Sequence, residues 1–172
     1  MPHPTSTTAR ALSRLLIALA LAASAPAFAA EPTDADIDRL ERIALLAPYL
    51  AAKRQAVHSA NAALGEGAAV PANLRRLTNI GTFRAYVQAY LQAHPGVHQG
   101  MTLMVRMLEP TAEGVPLELY CFTATTAWVE YERIQGDIFD HLIAILPEFG
   151  LGLYQSPTGH DIRIGLRQEA LP

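Results

Sequence analysis

The stretch MTLMVRMLEPTAEGVPLELYCFTAT, residues 101–125, decides the fold class. In its first part Leu103, Val105 and Met107 fall on alternate positions, the period of a strand with one buried side. In residues 115–125, Leu117, Leu119 and Cys121 share one face, while Tyr120 and Phe122 point to the other. EPTAEG between them carries turn chemistry, so the two runs predict an antiparallel hairpin.

Working outward, Thr126 is the expected N-cap of AWVEYERIQGDIFDHLIAIL, residues 127–146. Trp128, Tyr131, Ile134, Ile138, Leu142 and Ile145 recur there at spacings of three and four, and Pro147 and Gly150 stop the helix. LGLYQS, residues 151–156, reads as a last short strand. Upstream, Asn79 or Thr82 is expected to cap a helix running to about His94, with Phe83, Val87, Tyr90 and Leu91 on one face and Pro95-Gly96 at its end. LRRLT, residues 74–78, reads as a short strand before it. The order strand, helix, strand, strand, helix, strand predicts an α+β domain over residues 74–160. Its expected form is a ferredoxin-like β-α-β-β-α-β sandwich, an antiparallel sheet with both helices on one face.

Residues 31–73 form an expected helical segment and linker. Asp34, Asp36 and Asp38 suit a helix N-terminus, Ile37, Leu40, Ile43 and Leu46 give a stripe, and Pro48 is expected to kink or split the helix. GEGAAVPAN, residues 65–73, reads as loop, and residues 161–172 as a polar tail. Residues 1–30 have the three parts of a secretory signal: Arg10 and Arg14, the apolar run from Leu15, and Ala27-Phe28-Ala29 after Pro26. The run is shorter than the ~20 residues a bilayer span needs. A genuine signal places the protein in the periplasm or at the periplasmic face of the inner membrane. Without a genuine signal the domain instead sits in the cytoplasm against that membrane.

The chain has 172 residues, one domain's worth, and a net charge of −3. Without residues 1–30, which hold only Arg10 and Arg14 as fixed charges, 11 basic and 16 acidic residues are left, or −5. An acidic domain without a basic run argues against nucleic-acid binding. The single cysteine, Cys121, excludes an internal disulfide, so stability rests on the core.

The segments RRLTNIGTFRAYVQAYLQAHP, HQGMTLMVRMLEP, GVPLELYCFT, WVEYERIQGDIFDHLIAILPEFGL and YQSPTG, in that order, resemble the soluble C-terminal domain of miniconductance mechanosensitive channels, a branch of the small-conductance mechanosensitive channel family. YLAAKRQAVHSANAAL also resembles the family segment before that domain, so the resemblance runs from about Ile43 to Asp161. It implies a non-catalytic domain of the cage beneath a pore, and as partners either further copies of this chain or a full-length channel. The family's pore helix and middle domain have no counterpart in the sequence, so the resemblance does not carry conduction. A self-associating module or a truncated channel homologue linked to osmotic response is the expectation. An exported small-ligand-binding module on the same fold is the alternative.

No residue is assigned a catalytic, cofactor-binding or metal-ligating role, and no cofactor is implied. His94 and His98 have the spacing of a helical metal pair, but Pro95 and Gly96 between them break the shared face. Asp137, Asp140 and His141 could form a carboxylate–imidazole pair, or no more than a surface pair one helical turn apart; no nucleophile accompanies them. Cys121 reads as a small buried hydrophobe. Gly136, inside a strong helix, reads either as a tolerated glycine or as a point of close approach by a strand or a neighbouring subunit. Apolar residues on both faces of 115–125 suggest a covered sheet, with the helix of residues 34–64 as one candidate cover.

Overall fold

A computed structural model describes residues 14–22, 31–156 and 159. In chain order the elements are β1 (Arg14–Ala22), α1 (Asp34–Leu40), α2 (Ala47–Ala62), α3 (Asn79–Ala93), β2 (Met104–Met107), β3 (Val115–Phe122), α4 (Trp128–Ile145) and β4 (Gly152–Leu153). The strands form one antiparallel sheet in the order β2-β3-β1-β4. The α+β class holds, and α3, β2, β3, α4 and β4 follow the expected order.

The first strand does not lie where the pattern placed it. LRRLT forms no strand: the backbone N–H of Arg75 donates to Asn61 Oδ1 at 2.8 Å, and Asn61 Nδ2 donates to the Arg75 carbonyl at 3.0 Å. A side chain at the end of α2 thus satisfies backbone groups that a ladder would otherwise use. The central position is taken by β1, from within the leader-like segment. It pairs with β3 from Arg14↔Phe122 to Leu21↔Val115, and with β4 at Leu21↔Leu153 and Ala22↔Gly152.

The hairpin is as expected in kind but shorter. Val105 pairs with Leu119, and both are buried together with Leu117 and Cys121. Successive residues alternate faces, so Pro116, Glu118, Tyr120 and Phe122 lie on the other side, each half-buried. Phe83, Val87 and Leu91 of α3 and Ile134, Ile138 and Leu142 of α4 join the buried face of β3 in one core. The loop after α3 is tied to the same strand: the His98 N–H donates to the Phe122 carbonyl at 2.7 Å, and the Ala124 N–H to the Gly96 carbonyl at 2.8 Å. Gly96 lies so close to α4 that a Cβ there would stand 2.9 Å from Ile134 Cγ1.

Local chemistry explains the helix ends. Thr33 and Asp36 form a reciprocal capping box on α1, which holds the Asp36 carboxyl below its usual range, chiefly through the Thr33 hydrogen bonds. Pro48 stands in the first turn of α2, after a turn that separates it from α1, so the expected split occurs. Thr78, rather than Asn79 or Thr82, caps α3: its Oγ1 accepts the Gly81 N–H at 3.2 Å. The N-cap of α4 is Ala127 with no side-chain cap, so Thr126 does not hold the role expected of it. After α4, Gly150 adopts φ +63°, and the Leu151 N–H returns to the Leu146 carbonyl at 3.1 Å. That left-handed residue favours glycine and closes the helix end.

The helix of residues 34–64 does not cover the second sheet face. Leu40, Leu46 and Leu50 are instead buried in the common core, on the helix side of the sheet.

Candidate functional site

Each residue group singled out in the sequence has a definite place. His94 Nδ1 accepts the Gly96 N–H at 3.0 Å, and His98 Nδ1 accepts the Gly100 N–H at 3.2 Å. Both imidazoles therefore cap their own turns, and the structure does not bring them together as a pair. Among the described residues no group of three or more His, Cys, Asp or Glu is arranged to hold a metal ion.

Asp137 is engaged by Arg133 one turn earlier on α4, at 2.9 Å, rather than by His141. The His141 ring crosses to α3, where Nε2 lies 2.7 Å from the Tyr86 hydroxyl and the ring stacks on Tyr90 with centroids 4.3 Å apart. Tyr86, Tyr90 and His94 follow one another every four residues along α3, the same helical face. Phe149 packs against Phe83 and Tyr86 at 5.1 and 5.5 Å. The result is a column of rings that clasps α3 to α4. Partial burial pushes the His94 and His141 imidazoles below their ordinary value and the Tyr86 and Tyr90 hydroxyls above theirs. Of the clasp, the sequence pattern marks only Tyr90 on the apolar face of α3; neither Tyr86 nor the partner on α4 is singled out by it.

Cys121 is fully buried, and burial pushes its thiol up to about 11. A thiolate is the reactive form, so this sulfur behaves as a hydrophobe. Gly136 has open space where a Cβ would stand, so among the described residues no strand approaches it.

Two surfaces carry neighbouring exposed apolar groups. Trp128 and Val129, at the start of α4, are 71% and 75% exposed, with Tyr131 stacked on Trp128. The inward-facing position expected for Trp128 is thus overturned: it lies one turn before the stripe meets the sheet. On the sheet face turned away from the helices, half-buried Tyr120 packs edge-on against half-buried Phe122 at 5.5 Å, beside the Arg106–Glu118 ion pair and exposed Met104.

Residues 78–153 match the family model for the mechanosensitive ion channel MscS, C-terminal. This stretch is therefore similar to the C-terminal domain of the small-conductance mechanosensitive channels, the resemblance that the sequence segments carry. A relative is the low conductance mechanosensitive channel YnaI of Escherichia coli (strain K12), 31% identical over 71 residues, or 41% of this chain. The aligned region spans only 21% of that channel. Among the described residues no helix is long and apolar enough to cross a membrane.

Proposed function

We propose that this protein is a non-catalytic module of the channel-cage type that associates with further copies of itself, or with a full-length channel, in an osmotic or tension response. The observation that carries this reading is the channel C-terminal domain match over residues 78–153, joined to no membrane-length helix among the described residues. Trp128 and Val129, exposed at the start of α4, supply apolar surface of the kind that protein contacts use. Native mass spectrometry and light scattering on the full chain at tens of micromolar test it. Defined oligomers are expected, and a strict monomer that also fails to capture a full-length channel removes the reading.

The apolar run after Arg14, followed by Ala27-Phe28-Ala29, supports a leader that directs the chain to the periplasm or the periplasmic face of the inner membrane. Fusion of residues 1–40 to alkaline phosphatase reads this directly. Activity is expected, and an inactive fusion places the domain on the cytoplasmic side.

A further inference from the structure

The leader-like run and the central strand of the sheet are the same residues. Among the described residues β1 is the sole strand that pairs with β4, and it pairs with β3 over eight positions. Without it β4 separates from the β2–β3 hairpin, and one whole side of β3 becomes a row of unpaired N–H and C=O groups. A segment paired on both sides cannot at the same time lie in a membrane or a secretion channel.

The order of events in synthesis gives each fate its time. Ile17 and its partner Leu119 are 102 residues apart. At about 5–20 residues per second, the segment is exposed for about 5–20 s before its partner exists. After that the sheet closes and withdraws it. We propose that Arg14–Ala22 is a dual-purpose segment whose pairing into the sheet competes in cis with its use as a leader, so that folding retains the chain. This inference rests on the leader reading given above.

Two measurements on the full chain test it. The first is a cysteine pair, Ala18→Cys with Glu118→Cys, which stand opposite each other in the register. Opposed residues of an antiparallel pair lie within disulfide reach. Mild oxidation is expected to join most molecules internally, while Leu19→Cys with Glu118→Cys, one residue out of register, gives no bond because successive side chains alternate faces. The second is alkaline phosphatase fused after residue 172, with activity measured per molecule. Leu119 is fully buried in β3, so Leu119→Asp keeps the sheet from closing. That variant is expected to raise activity at least several-fold over the unaltered chain. Failure of the in-register bond overturns the pairing even if the fusion is active. A bond with equal, high activity in both fusions overturns the competition. A bond with both fusions inactive overturns it by removing the leader.

Discussion

Ile138 shows how much a single residue contributes. It is fully buried at the middle of α4 against β3. Ile138→Ala removes three carbons and leaves a cavity, and is expected to cost about 2–5 kcal/mol, read as a lower denaturant midpoint at unchanged slope. Gly136, two residues earlier, has the opposite prospect. A methyl there meets no atom of the described residues, so Gly136→Ala is expected to stabilise the fold by about 0.5–1 kcal/mol. Loss of assembly together with that gain would locate a neighbouring subunit at Gly136. The two histidines of the clasp set a pH dependence. Burial lowers both His94 and His141, with Asp137 opposing and Arg133 and His141 adding to the effect at His94. A group whose folded value is depressed binds its proton more readily when unfolded. Stability is therefore fully present above about pH 6.5 and falls as pH drops through the lowered values. The melting temperature is expected to decline from pH 7 to 5, and His94→Gln with His141→Gln to flatten that decline.

Elements were legible where one local period decided them. The stripe of α4 gave Ile134, Ile138 and Leu142 as buried, and they are; the same stripe gave Trp128, which is not. A period reports which side a residue takes, not where along the helix the sheet ends. Trp128→Ala is accordingly expected to change folding stability by less than about 0.5 kcal/mol while weakening any assembly through this surface. Thermal melts and native mass spectra of the same sample separate the two effects. The alternation of Leu117, Leu119 and Cys121 was read correctly because β3 has one helix-covered face. LRRLT misled because its backbone partner, Asn61, is a side chain 14 residues away, which no period encodes.

At the scale of the whole molecule, composition alone could not tell a leader from a central strand. Both demand a short apolar run, and β1 finds its partner about a hundred residues later. The Tyr86–His141 bond, across 55 residues, was hidden for the same reason. The absence of a catalytic reading came from the segment resemblance rather than from any single residue.

The sheet's margins also constrain the proposed association of copies. It ends in the two-residue β4 on one side and the four-residue β2 on the other. Margins that short offer almost no template on which a neighbour could prolong the ladder. On the self-association proposed above, contacts between copies would use broad surfaces, which favours closed rings or pairs over runaway fibrils.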